Sequence, residues 1–399
     1  MAPSTTDAST SRRRLLSSAA AVGGLALSGC TSTLPPLGQR VRFGRVDVPP
    51  ADPPKYRRWI PAASALPEGT TDTVHAGRPG GRPAWTVSSL GRGLFVATAD
   101  WLGTAFESYD LAVGIGRTLV LEGQTDPGTV AEALAGTGYA AAGSYEGYDL
   151  YTREDAPRTV AAGDGAAVMA TGASGRDLVV AVVDAHDGRL QRRHETDAEF
   201  AAITDATGAT DFDIVGGLRM VPEATSEAVT SSTSHAYAEE ATYVRSQYIF
   251  ESADAVPEER IRRELRASKA AVRADAVDMW TDGRRAIVDL RSDSPARTDF
   301  RTPLITWGAA HNPEDRTVTL RHEAGETVDA DALVVDVRAE DDDSGILDAP
   351  EGKQFADAHE TVGPSDSLTV PVDPDDGAVH VRYRPVEDRS NTLFSYRIP

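Results

Sequence analysis

The chain has 399 residues, with 61 Asp and Glu against 40 Lys and Arg, for a formal charge of -21 at pH 7. That balance argues against nucleic acid or an anionic membrane surface as a partner, because phosphate binding is driven by cationic side chains. The single cysteine, Cys30, leaves no internal disulfide and no zinc cluster built on thiolates, so the fold rests on hydrophobic cores, of which 399 residues can supply two or three.

In chain order the first signal is Arg12-Arg13-Arg14-Leu15-Leu16, followed by an apolar segment, 15–27, and then Leu27-Ser28-Gly29-Cys30. A basic stretch, a short apolar run and small residues before a cleavage point make up the layout of an export signal. The apolar run is too short to span a bilayer, which takes about 20 apolar residues. Arg12 and Arg13 with the two leucines resemble a twin-arginine signal, and 27–30 resembles a lipobox, in which a peptidase cuts between Gly29 and Cys30 and a lipid is attached to the Cys30 sulfur. The resemblance implies a signal peptide over 1–29 and a membrane partner reached through the lipid on Cys30. The mature protein would then sit, extracellular, on the outer face of the cytoplasmic membrane. An uncleaved anchor helix with an incidental cysteine is the alternative. An acidic composition with three lysines, Lys55, Lys269 and Lys353, is similar to that of proteins from salt-loving archaea, and molar salt would screen its self-repulsion to a Debye length of about 3 Å.

Residues 30–54 contain Pro35-Pro36, Pro49-Pro50 and Pro53-Pro54, which rule out a continuous helix and predict an extended tether. Trp59, Ile60 and Leu66 mark 55–73 as a segment packed on the first domain, and 77–83 reads as a Gly/Pro loop.

Over 55–295 the same order of elements occurs twice. Residues 118–121 are strand-like; Asp126-Pro127 supplies an N-cap and a proline at the first helical position, with Val130, Ala133 and Leu134 at helical spacing. Strand 148–151 and an Asp164-Gly165 turn into 167–170 follow. The second set is strand 243–250, a helix opened by Pro257-Glu258-Glu259 that carries Ile261, Leu265 and Ser268, and strands 277–280 and 286–290 joined by Asp282-Gly283. Asp-Gly between apolar runs predicts a hairpin with a type I′ turn, positive φ at both central residues. Between the sets, 177–187 and 197–207 read as helices stopped by Gly188 and Gly208, with a buried strand as the alternative for 178–183. Residues 214–221 read as a strand and the Ser/Thr-rich 223–234 as a mobile loop.

After a break at 292–297 the pattern changes to short strands between acidic turns: 317–322, 333–337, 367–370, 379–383 and 393–398. This spacing predicts a small antiparallel, immunoglobulin-like β-sandwich over 303–399. Residues 318–333, with Val318-Thr319-Leu320-Arg321-His322 at their start, together with Asp366-Ser367-Leu368-Thr369-Val370 and Leu393-Phe394-Ser395-Tyr396, resemble the sandwich heads of haloarchaeal type IV pilin-like proteins. The chain departs from that family in lacking its long apolar N-terminal helix, so filament formation is not implied. The fold class is therefore α+β: a duplicated strand-helix-hairpin domain followed by the sandwich.

Candidate chemistry is sparse. Asp184, His186, Asp187, His194 and Glu195 form the densest set of metal-ligand residue types, although a solvated helix end in an acidic protein carries the same residues. Asp341-Asp342-Asp343 and 373–377 are acidic enough for calcium but lack the spacing of a twelve-residue calcium loop. Gly172-Ala173-Ser174-Gly175 has the wrong spacing for a nucleophile elbow, and Gly114 and Gly116 lack the third glycine of a dinucleotide site. Trp85, Trp101, Tyr109, Tyr145, Tyr148 and Tyr151 could line a groove or fill a core. Neither a metal nor a cofactor is expected, and His75, His186, His194 and His235 read as lying in loops or helix ends without the rigid support that catalysis needs. Two functions follow. One is a non-catalytic surface lipoprotein offering its domains to an envelope protein partner; the other is a lipoprotein that captures or hydrolyses a solute between the repeats or domains.

Overall fold

A computed structural model describes residues 41–49, 51, 53–67, 70, 73–79, 95–208, 210–217, 219–293, 301–339, 354–373, 376–386 and 389–399. Arg12, Arg13, Gly29, Cys30, Trp85 and Asp341-Asp342-Asp343 lie outside the described residues.

The architecture is α+β and centred on one antiparallel sheet. Its first seven strands are β1 (Val74–Gly77), β2 (Tyr109–Ile115), β3 (Thr118–Gly123), β4 (Ala140–Tyr145), β5 (Tyr148–Arg153), β6 (Arg158–Gly163) and β7 (Ala166–Thr171). The other five are β8 (Phe212–Val215), β9 (Thr230–Tyr237), β10 (Thr242–Ile249), β11 (Ala276–Asp282) and β12 (Arg285–Ser292). They are ordered β11-β12-β10-β9-β8-β1-β2-β3-β7-β6-β5-β4. The N-terminal strand β1 thus sits mid-sheet, pairing with β2 on one side and with β8 on the other.

Period-two alternation sorts the side chains onto two faces, both covered. Leu119, Leu121, Ala167 and Met169 pack on helix α1 (Pro127–Leu134) through Val130 and Leu134. Their neighbours Val120, Val168 and Ala170 face the opposite layer, made of α2 (Gly175–His186), with Leu178, Val179, Val182 and Val183, and of Phe200 and Ile203. The continuous apolar run of α2 is thus a buried helix. Arg193–Thr196 forms the short α3, and Ala198–Thr207 forms α4, whose N-cap Asp197 accepts the Phe200 N–H at 2.8 Å. Trp59 and Ile60, at the end of the 3-10 turn Lys55–Trp59 and just after it, are buried on the α2 face with Tyr56, and Leu66 packs against the same cluster. On the same face as α1, helices α5 (Glu258–Leu265) and α6 (Lys269–Arg273) cover β11 and β12 through Ile261, Leu265 and Ala271. Ser268 caps α6 instead of extending α5.

Four local expectations are revised. The strand expected over 214–221 ends at Val215, because Gly216 takes φ +80°. The expected loop 223–234 contains the start of β9, with Ser231, Ser232, Thr233 and Ser234 all buried between β8 and β10. The Asp-Gly hairpins form without type I′ geometry: Gly163 pairs with Ala166 and only Gly165 has positive φ, while Asp282 pairs with Arg285 and only Gly283 does. The two successive positive φ values occur at Glu146 and Gly147, between β4 and β5. Finally, the middle of the expected tether, 42–44, is seated on the body. The Val277 N–H donates to the Arg42 carbonyl and the Gly44 N–H to the Val277 carbonyl, each at 2.9 Å, forming a parallel bridge on the edge strand β11.

The C-terminal strands are β13 (Ile305–Asn312), β14 (Thr317–Gly325), β15 (Val328–Asp329), β16 (Leu333–Ala339), β17 (Thr361–Val362), β18 (Ser367–Pro371), β19 (Asp376–Val386) and β20 (Arg389–Arg397). They form two three-stranded sheets, β13-β14-β18 and β16-β19-β20, and the pair β15-β17. Trp307, Val318 and Leu320 from one sheet and Val335, Val379 and Phe394 from the other share a core that continues into Phe106, Leu119 and Val130 of the large sheet's layer.

Candidate functional site

The densest buried chemistry lies where the large sheet meets the C-terminal strands. Arg153 at the end of β5 pairs in register with Arg158 at the start of β6, which brings two cations side by side. Three carboxylates compensate. The Arg153 side chain, 0% exposed, donates to Asp155 from Nε at 2.9 Å and from Nη2 at 2.6 Å, and its Nη1 lies 3.2 Å from Glu323 of β14, itself 1% exposed. Arg158 pairs with Asp100, whose second oxygen accepts the Tyr139 hydroxyl at 2.5 Å. Burial alone would raise Asp155, but its bonds to Arg153 hold it below the usual carboxylate range. Glu323 also accepts the Gly138 N–H at 3.0 Å and Arg321 at 2.7 Å, Thr306 accepts the Trp101 N–H at 3.0 Å, and the Arg158 guanidinium lies 5.4 Å from the Phe394 ring centroid. Two glycines make the passage: a Cβ on Gly138 would collide with Arg153 and one on Gly308 with the Glu323 carboxylate. Such a cluster fixes geometry, because removing any one partner strands a buried charge.

A second polar region lies under α4. Asp213 of β8, Ser234 of β9 and Arg245 of β10 follow one another across the sheet, and Arg245 grips Asp289 of β12 with two bonds of 2.8 Å. Burial pushes Asp213 up to about 6, although the Thr210 hydroxyl donates to its carboxylate and Ser234 lies beside it on β9. Thr210, Ser234 and Arg245 also border a cavity of about 130 Å³ beside Pro49 and Gly208. A larger pocket of about 370 Å³ opens between the β13–β14 turn and the chain end, bordered by His311, Arg316, Asp373, Asp376 and Arg397.

The residues singled out from sequence are dispersed. Asp184 accepts the Tyr145 hydroxyl at 2.8 Å and Arg189 at 2.7 Å, Asp187 takes Arg189 at 2.9 Å, and Glu195 accepts the Arg192 N–H at 2.9 Å. His186 stacks on Trp59 with centroids 3.8 Å apart, while His194 is lowered by burial and by Arg57. Among the described residues no three His, Cys, Asp or Glu side chains converge as a metal set. His75 and His235 lie on β1 and β9, a correction to their expected place in loops, and burial pushes His235 down to about 4. Ser174 precedes α2 without capping it, Gly172 and Gly116 take positive φ in turns, and Gly114 lies within β2 against Phe95. Trp101, Tyr109 and Tyr151 join the core shared with the C-terminal strands, whereas Tyr145 and Tyr148 belong to the α2 face, so no single groove unites them. Asp376 accepts the Asp373 N–H at 2.5 Å, closing that acidic turn on itself. Sequence reasoning missed Arg153, Arg158, Asp155 and Glu323; the nearest signal was two arginines flanking the short 154–157 turn.

No family model matches the chain, and no curated protein is significantly similar to it. Among solved structures it is similar to three crystal forms of TP0453. Form III has a TM-score of 0.35 at 9% identity over 63% of this chain and 97% of that one. Form I gives 0.36 at 11% over 62% and 95%, and form IV 0.34 at 10% over 58% and 94%. At such scores neither a family nor a function follows for this chain.

Proposed function

We propose that the chain is a lipid-anchored, non-catalytic envelope protein that offers an α+β domain, 55–295, and a β-sandwich, 303–399, to an envelope partner outside the membrane. The observation that carries this reading is the buried joint of Asp100, Arg153, Asp155, Arg158 and Glu323. A joint of this kind suits a body that presents a fixed surface and opposes a cleft that must open and close around a substrate. The anchor is assigned to Cys30, exposed by cleavage after Gly29 and exported under Arg12 and Arg13.

The duplication is part of the same proposal. One unit is β2, β3, α1, β6 and β7, with β6 (Arg158–Gly163) taking the place expected for 148–151 as the first arm of the hairpin and β4 and β5 inserted, and the other is β9, β10, α5 with α6, β11 and β12. What supports it is that β7 returns beside β3 and β12 beside β10, with the helices of both units on one face.

The test is the mass and location of the mature chain. Wild type should carry a lipid on Cys30 and stay with washed membranes, where crosslinking should capture a protein partner. Cys30→Ser should appear in the soluble fraction, or be held only as the uncleaved precursor. A mature wild-type N-terminus free of lipid would refute the anchor, and catalytic turnover by the purified protein would refute the non-catalytic reading.

A further inference from the structure

The acidity of the chain is not evenly spread. Residues 258–273, which contain α5 and α6, hold Arg260, Arg262, Arg263, Arg266, Lys269 and Arg273 against Glu258, Glu259 and Glu264, a cationic excess in a protein of formal charge -21. Two of the three carboxylates are committed. Glu258 accepts Arg262 at 3.0 Å, and Glu264 accepts the Ala224 N–H at 2.6 Å and the Glu223 N–H at 3.3 Å. Arg260, Arg263, Arg266, Lys269 and Arg273 are all exposed. Ile261, Leu265 and Ala271 are turned into the core and Arg262 donates to Glu258 and to the Met279 carbonyl, which leaves the other five cations on the outer surface of both helices.

The chain arrives from its N-terminal segment at this same place. Arg42 and Gly44 bond to Val277 on the neighbouring edge strand, and between them Phe43 is 40% exposed, with the guanidinium carbons of Arg262 and Arg266 at 5.9 and 5.7 Å from its ring centroid. An exposed aromatic ring bordered by arginines is the pairing that seats at a lipid headgroup boundary, with the ring towards the acyl region and the guanidiniums on phosphates. Arg42 stands twelve positions after Cys30, a span of at most about 43 Å when fully extended.

We infer that the outer surface of α5 and α6, with Arg42 and Phe43, is a docking face for the anionic lipid surface to which the chain is anchored. It rests on the lipid-anchor reading for its proximity to the membrane, and its chemistry is tested independently of the lipid. Docked this way, the protein turns its cationic patch to the headgroups and its acidic remainder outward. The net charge that argues against anionic surfaces thus holds for the whole chain and fails for this face.

The experiment uses the full chain carrying Cys30→Ser, sedimented with vesicles of phosphatidylcholine alone or with one third phosphatidylglycerol, at the lowest salt that keeps the fold by circular dichroism. Arg12, Arg13, Arg14 and the apolar segment 15–27 are common to every variant, so the part of the vesicle preference that substitutions on α5 and α6 remove reads the cationic face. Binding should be at least about tenfold stronger to the anionic vesicles. R263E/R266E/K269E should remove most of that preference, and R176E, on the exposed surface of α2, should keep it in full. If the reversed chain does not fold, R263Q/R266Q/K269Q should weaken the preference in the same direction. Equal binding to both vesicles, or a preference untouched by these substitutions, would overturn the inference. The lipid state of Cys30, read by mass, stands or falls separately.

Discussion

Asp213 shows how one buried side chain sets a pH response. Its folded value of about 6 lies above its ordinary value of 3.8, so the folded state binds the proton more tightly than the unfolded one. The stability it contributes is complete below 3.8, declines as pH rises to about 6, and stays lost above that. Asp213→Asn, neutral throughout, should raise stability at pH 7.5 by up to ~3 kcal/mol and change little at pH 4; urea unfolding at the two values would check it. His235 acts in the opposite sense. With its folded value near 4 against an ordinary 6.5, it favours the fold at neutral pH and loses that contribution as pH falls through 6.5 towards 4. At this scale the sequence is least informative: a histidine, an aspartate and four consecutive Ser/Thr residues read as solvated until their strands are known to be central. Thr233 and Ser246 then satisfy each other at 3.0 Å across β9 and β10.

Among the elements, helices announced themselves and some strands did not. Asp126-Pro127 marked the start of α1 because an N-cap and a missing N–H act locally, and the Asp126 carboxylate does accept the Thr129 N–H at 2.7 Å. The strand β9 was illegible because its polar residues invert the usual alternation, and β13 because Gly308, Ala309 and Ala310 carry little apolar signal even beside the buried Trp307. The turn at Glu146-Gly147 escaped because glutamate is an unusual residue at φ +48°. Gly147, at φ +84°, has the stronger need for glycine. Gly147→Ala should therefore cost about 1–2 kcal/mol by thermal unfolding, whereas Asp282→Ala, beside a turn that needs one positive φ at Gly283, should cost less.

For the whole molecule, charge remains the dominant variable. A formal charge of -21 opposes compaction wherever ions do not screen it, and screening shortens from about 10 Å at 0.1 M to about 3 Å at 1 M salt. Stability should rise steeply with salt, with loss of the near-ultraviolet dichroism of Trp59 and Trp307 on dilution to millimolar ionic strength; a spectrum unchanged over that range would contradict it. The contrast between an earlier region that bears α-helices and a later one that, among the described residues, has strands and 3-10 turns alone was readable from where helical spacing stops, near residue 290. The continuity of their cores was not, because the groups that join them, from Trp101 to Thr306 and from Arg153 to Glu323, are far apart in the chain and polar.

The bridge between residues 42–44 and Val277 has a consequence for growth. A sheet propagates from chain to chain only if each copy offers two ends, one to receive a strand and one to pass pairing on. Here one end, β11, already carries a piece of its own chain near its start, and the other, β4, is kinked by a bulge between Ala141 and Ser144 with Gly143 at φ +92°. Edge-to-edge contact between copies would thus terminate at a pair instead of extending into a fibre. Residues 42–44 would act as a stopper on polymerisation at the β11 edge.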